Sequence, residues 1–293
     1  MPAPLRELAD SWRKRLLDID LQRRKDLALL WLQMERELDP ALAAYVYAPE
    51  EEREERGRVL VAQTQEKLDR LLVIWAAMII AAGVTYYRLG TEAGREFLDA
   101  QDIPPKQAPG SPQWGEEQNK ALDKVKSLAL AGLLVAMRGA DGTISAISAI
   151  RNGISKGLGQ LITVSRDYPV SQFRDAIGRY ATPGKWVRLS ARAPTTCMGC
   201  IMEDGTILDD PSDFSDHPHG LCFVVPIEGE SWLGETGEEW FLSLGGKKQE
   251  QMMGRDYYAA WKAGGYDLSE LSKKSSAGYV IVRPLKELGG VRP

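Results

Sequence analysis

Residues 101–118 read QDIPPKQAPGSPQWGEEQ, with Pro104, Pro105, Pro109 and Pro112 and two glycines in the run. Proline fixes φ and has no N–H to donate, so such a stretch cannot continue a helix and reads as a linker or extended arm. It sets the expected architecture: a helical region at 1–100, a Pro-rich linker at 101–118, and a second region at 119–293.

Upstream of the linker the pattern is helical. Leu5, Leu8, Trp12, Leu16 and Ile19 recur at three- and four-residue spacing, one stripe of a helix. Leu27 to Leu38 (LALLWLQMEREL) is a second apolar helical segment, and Glu50 to Arg56 (EEEREER) reads as a solvated helix start. Leu71 to Tyr87 (LLVIWAAMIIAAGVTYY) carries no charge and is flanked by Arg70 and Arg88. As a helix it would measure roughly 26 Å at ~1.5 Å per residue, short of the ~30 Å hydrocarbon core of a bilayer. It is therefore expected to be buried in protein, with no stable membrane insertion, against the alternatives of a membrane-active or an interfacial helix. The surplus of apolar residues here, Trp12, Leu29, Leu30, Trp31, Ile74 and Trp75, marks region 1–100 as the expected docking surface for a partner, against the alternative that these faces close on each other as a monomeric bundle.

Downstream, Asn119 to Met137 returns to a helical pattern, and the Gly-, Ser- and Ala-rich residues 139–162 predict short, closely packed helices. Another helix is expected over Pro169 to Tyr180, and WVRLSA and CFVVPI read as short strands. The expected fold class is thus α+β and predominantly α-helical: a helical N-terminal half, then a half with helices, a few short strands and a metal-stapled loop. Charge is segregated in this half. Residues 138–192 hold nine Lys or Arg against three Asp or Glu, and residues 203–239 hold eleven Asp or Glu and no Lys or Arg. Either the two surfaces face each other or a neighbouring subunit, or 138–192 makes a sequence-independent contact with DNA.

The chain is 293 residues long, with a net charge of −4, which excludes the global cationic field of a dedicated nucleic-acid binder. Its N-terminus is charged from Arg6 onward and lacks an apolar h-region, so no secretory signal is expected. Three cysteines cannot build a disulfide framework and point to synthesis in a reducing compartment.

All three cysteines and both histidines fall in one window, CMGCIMEDGTILDDPSDFSDHPHGLC. Cys197 and Cys200 form a Cys-x2-Cys knuckle; sixteen residues later come His217, His219 and Cys222. Three thiolates and one imidazole are a standard donor set for a closed structural zinc site, and a turn through Gly205 would fold the second pair onto the first. The metal-ligating candidates are Cys197, Cys200, His217, His219 and Cys222, against the readings of small buried thiols without metal or a disulfide. Catalytic zinc patterns do not fit: there is no His-Glu-x2-His, and no histidine precedes the cysteines as a zinc deaminase requires. No Walker or dinucleotide-type phosphate loop is present. No catalytic residue is assigned.

At these residues the chain resembles the Mu F-like minor head proteins of tailed bacteriophages, the phage head morphogenesis proteins. CMGCIMEDGTIL matches the family's Cys-x2-Cys followed by Asp-Gly and an apolar turn, and HPHGLCFVVP matches its His-Pro-x-Cys-Arg-Cys and trailing proline. QMMGRDYYAAWKAGGYDLSEL, residues 251–271, and the later Val282-Arg283-Pro284-Leu285-Lys286-Glu287-Leu288 resemble the family's closing helix and Leu-x-Glu-Leu end. The resemblance covers about 160–293 and makes 119–293 a Mu F-like domain. Gly220 stands where the first cysteine of Cys-Arg-Cys usually sits, Leu221 replaces the arginine, and His219 is extra. Arg166-Asp167 is the nearest match to an Arg-Thr-Glu-like element that usually precedes the knuckle.

The resemblance implies a minor structural protein made in the host cytoplasm and carried in the capsid interior of the virion. It implies association with the portal protein or other head proteins, an influence on DNA packaging or ejection, and ligand roles for Cys197, Cys200, His217 and Cys222. It implies no enzyme. The alternatives are a zinc-stapled nucleic-acid-binding module and, from a third class, a phage-borne nuclease or transferase.

Overall fold

The computed structural model describes residues 3–105, 110–112, 114–139, 144–180, 184–217, 220–229, 234–276 and 278–288. The class is the expected one, α+β and mainly α. Helix α1 spans Ala3–Val46 and α2 spans Glu50–Asp99. The two apolar segments expected at the N-terminus are one helix, because Asp20 to Asp26 contains no glycine or proline to stop it. Pro40 lies inside α1, where it has no N–H to give the helix and its ring crowds the carbonyl one turn back. Glu50, Glu51 and Glu52 occupy the first turn of α2, at the positive end of the helix dipole.

After these come α3 (Glu116–Arg138), α4 (Ile144–Ile154) and α5 (Lys156–Tyr180). The helix expected to start at Pro169 begins at Lys156 and carries Pro169 within it. A three-stranded antiparallel sheet follows, built from β1 (Lys185–Leu189), β2 (Ile207–Leu208) and β3 (Phe223–Ile227) in the order β2-β1-β3. Val187 lies opposite Ile207 on one side and Val225 on the other. Helix α6 (Met198–Met202) sits between β1 and β2 in sequence. The chain closes with α7 (Gly237–Ser243), α8 (Gly246–Met253), α9 (Arg255–Lys262) and the hairpin of β4 (Ser272–Lys274) and β5 (Val280–Val282).

Two compact units emerge, and they are not the sequential regions expected from the linker. The first unit comprises Met1–Ile19, Tyr86–Ser111 and Val170–Pro293; the second comprises Asp20–Thr85 and Pro112–Pro169. The long helices α1, α2 and α5 each supply residues to both, so no cut at 101–118 separates them. The described part of that stretch is held. Gln101 donates from Nε2 to the Pro226 carbonyl at 3.0 Å and accepts from the Glu228 N–H at 2.9 Å. Farther on, Trp114 packs edge-on against Tyr168 at 5.0 Å, and α3 already begins at Glu116. Helix α2 ends at Asp99, ahead of the prolines, and beyond it Ile103 packs against the sheet core and Trp114 against the core of the second unit.

The core of the first unit packs Leu5, Trp12 and Leu16 with Phe97, Phe173, Ile177 and the sheet residues Val187, Leu189, Phe223 and Val225. Phe173 meets Phe223 edge-on at 5.5 Å, and the Trp12 indole N–H donates to Glu96 at 2.9 Å. A separate cluster of Met198, Ile201, Phe241, Met253, Tyr266 and Leu271 seats α6 among α7 to α9. The core of the second unit centres on Trp31 and Trp75, stacked at 5.5 Å with rings 5° from parallel, surrounded by Leu27, Leu38, Leu60, Val125 and Ile150. Residues 139–162, expected to form short, closely packed helices, hold the short α4 and the start of the 25-residue α5. A Cβ on Gly132 would run into the backbone of Gly153, so α3 and α4 approach to backbone contact.

The apolar run 71–87 is covered on one side. Leu71, Trp75 and Ile79 are buried, while Val73 is 71% and Ile74 47% exposed. Helix α2 is long and apolar enough by composition to cross a membrane, and 28% of its most apolar window is buried. Burial is thus less complete than expected, because a helix packed through one stripe leaves the opposite stripe outside.

Candidate metal centre

The site is assembled from the residues on either side of β2. Cys197 caps the N-terminus of α6: its side chain accepts the Cys200 N–H at 3.3 Å. One helical turn therefore sets Cys200 beside Cys197, as the Cys-x2-Cys spacing requires. Gly205 adopts φ +95° in the turn after α6, and its N–H donates to the Arg188 carbonyl at 2.8 Å, which turns the chain into β2. The return segment then brings Asp216, His217 and Cys222 up to the knuckle before β3 begins.

Two donor triads result, sharing Cys200. The side-chain donor atoms of Cys197, Cys200 and His217 lie within 4.8 Å of one another, and so do those of Cys200, Asp216 and Cys222. Cys200 and Cys222 are buried and Cys197 is half-buried. Four of the five residues expected from the sequence are brought together; the fifth, His219, lies outside the described residues. Asp216 was not expected. Its one available signal was its place next to His217 in the Cys/His window; as one of eleven acidic residues in 203–239 it reads as surface.

Gly220 explains how Asp216 enters. A Cβ at this position would collide with the Asp216 carboxylate, so the carboxylate fills the space a side chain at 220 would need. The Cys222 N–H donates to Asp216 Oδ2 at 3.3 Å, the His217 N–H donates to Oδ1 at 3.0 Å, and the Cys200 thiol points at Oδ1 from 3.7 Å.

Two arginines surround this group. Arg174, on α5, pairs with Asp216 and donates from Nε to the Cys222 carbonyl at 2.8 Å. Arg188, on β1, donates to Cys200 Sγ at 3.4 Å and to the Ser215 carbonyl at 2.6 Å, with Asp216 at 4.0 Å. Both guanidinium groups lie over the Phe214 ring, at 4.9 and 4.8 Å from its centroid. Burial opposes the charge on Arg188, but Cys222, Cys200 and Asp216 outweigh it and raise its pKa. The hydrogen bond from Cys200, aided by His217, lowers the Cys197 thiol to about 5 against the opposing effect of burial. Cys200, hydrogen-bonded to both other sulfurs and buried, is shifted upward. A thiol lowered in this way ionises readily, as a metal ligand must.

The segregated charges meet within the first unit. Arg174 and Arg188 pair with Asp216, Lys185 pairs with Asp209, and Arg192 reaches Asp204 at 2.6 Å and Glu235 at 2.7 Å. These cations of the basic stretch are engaged by the acidic one. Neither family models, curated proteins nor solved structures return a match to this chain.

Proposed function

We propose that this chain is a minor structural protein of a tailed-phage head. In this reading it joins the portal or another head protein during assembly, stays in the capsid interior, and uses a structural zinc as a staple. The observation that carries the reading is the convergence of Cys197, Cys200, His217 and Cys222, the four positions that match the Mu F-like ligand pattern. The donor set suits zinc: three sulfurs with an imidazole or carboxylate, two of the sulfurs buried. Bound there, zinc would cross-link α6 to the segment leading into β3, in a small cluster of Cys200, Cys222 and Val280 of β5 with Cys197 and Phe214 packed against it. Cys197, Cys200 and Cys222 would hold it, with the fourth position taken by His217 or Asp216. Arg174 and Arg188 would balance the anionic donors.

A staple role, rather than catalysis, is favoured because the donors are tied into backbone hydrogen bonds and packing. Of the apolar residues expected to dock a partner, Trp12, Trp31 and Trp75 are buried in the chain's own cores, so a docking role would fall to the exposed Leu29, Val73 and Ile74. The test is mass spectrometry of purified heads made by the genome that encodes this chain. Low-copy presence in DNA-filled particles, with cross-links to the portal, is the expected result. Absence from particles at every stage of assembly overturns the reading.

A further inference from the structure

Outside the metal centre, the second unit holds a cavity of about 720 Å³ between the end of α1, the first turns of α2 and the end of α3. That size lies within the ~300–1,000 Å³ of small-molecule sites. Its floor is apolar: Gly57 and Val61 from α2 face Leu134 and Met137 from α3. The Tyr45 hydroxyl donates to the Met137 carbonyl at 3.0 Å, so it is already satisfied. Leu134 is 45% exposed although it is a large apolar side chain. Its surroundings offer hydrocarbon contact that nothing in the chain takes up.

The rim is cationic. Arg53, Arg58 and Arg138 line it together with one carboxylate, Glu54. Glu54 lies 3.7 Å from Arg58, which also pairs with Glu55 at 3.2 Å. Arg53 donates to the Ala48 carbonyl at 3.4 Å. Among the described residues no carboxylate is within ion-pair distance of Arg53 or Arg138. The cavity therefore combines an apolar lining with two guanidinium groups that pair with no carboxylate among the described residues.

We propose that this cavity binds a monomeric single-chain amphiphile with an anionic head. The chain would lie on Val61, Leu134 and Met137, and the head would meet Arg138 and Arg53. A neutral apolar ligand would leave the arginines unused, and a cationic head would be repelled. Arginine is suited to the role because its planar fork takes a carboxylate or phosphate through two hydrogen bonds. The proposal is independent of the head-assembly reading, since it uses none of the metal-centre residues.

The test is calorimetric titration of the full chain with dodecanoate and with dodecyltrimethylammonium, each below its micelle concentration. Dodecanoate is expected to bind one per chain, at least tenfold more tightly than the cation. Ala62 and Arg138 are exposed, so A62W should narrow the cavity and R138E reverse its head contact without disturbing the core. Each is expected to weaken dodecanoate at least tenfold, with circular dichroism and melting midpoint unchanged. If A62W does not fold, Q65W at the same rim replaces it. Equal affinity for both heads, no binding of dodecanoate, or unchanged affinity in a folded A62W or Q65W variant overturns the proposal.

Discussion

At Asp216 one carboxylate joins both arginines to the cysteine cluster, and its loss separates two roles. Asp216→Asn keeps the shape but leaves Arg174 and the buried Arg188 without their shared anion. Breaking a buried pair costs about 3–5 kcal/mol; with Arg174 partly open to solvent, about 2–3 kcal/mol is expected, measured by urea denaturation. If Asp216 supplies no metal bond, this variant still binds zinc. Cys200→Ser, by contrast, removes the donor common to both triads and should reduce zinc from about one per chain to near zero in elemental analysis. Full zinc retention by Cys200→Ser would refute the site. The lowered pKa of Cys197 has its own consequence. Thiolate is the nucleophile, so reactivity rises with pH as the thiol ionises. In zinc-free protein, alkylation of Cys197 should reach half its maximum near pH 5, where the folded-state pKa is about 5, and level off above it. A midpoint near the ordinary ~8.5 would contradict this. Zinc should protect the same thiol.

The contact of α3 with α4 is set by the absence of side chains. Gly132 and Gly153 face each other at backbone distance, so Gly132→Ala must push the helices apart or strain them. Overpacking of this kind costs typically about 1–3 kcal/mol, and a value at the upper end is expected because backbone, not a flexible side chain, is the obstacle. Gly159 in α5 is the control: nothing lies within 4 Å of a Cβ added there. Gly159→Ala should instead gain about 0.5–1 kcal/mol from the helix preference of alanine. Thermal denaturation of the two variants decides the matter; equal shifts would mean the α3–α4 contact is looser than described.

For the molecule as a whole, the interleaving of the two units governs which pieces fold. Residues 20–169 contain all of the second unit, whereas residues 1–100 contain complete parts of neither. In the fragment 1–100, Trp12 and Leu16 lose Phe173 and the sheet, and Trp31 and Trp75 lose Val125 and Ile150. The 20–169 fragment is expected to unfold cooperatively in urea and the 1–100 fragment without a cooperative transition. A sharp transition in 1–100 would restore the sequential division. The two ends of the first unit are also bound together: Arg13, from the first turns of α1, donates to the buried Asp204 at 2.9 Å and to the Ser190 carbonyl at 2.9 Å. This pairing is why the N-terminal residues belong to the same unit as the C-terminal third.

Periodicity alone determined that the chain is mainly helical, that strands fall at WVRLSA and CFVVPI, and that α2 starts at the acidic run, because these follow from local spacing and from charge at a helix end. The Cys/His window located the donor cluster for a similar reason: a Cys-x2-Cys turn fixes two sulfurs whatever surrounds it. Tertiary structure alone decided the rest. Pro-rich 101–118 follows the end of α2, and one boundary between the units does fall in it, between Ser111 and Pro112; only the tertiary structure shows that α1, α2 and α5 each supply residues to both units, so the chain does not divide there into two sequential domains. Asp216 joins the cluster because Gly220 leaves room for its carboxylate and because Arg174 and Arg188 arrive from α5 and β1. Those partners lie 42 and 28 residues away in sequence, beyond the reach of any local pattern. Local rules decide which residues repeat on one face; only the closed chain decides which faces meet.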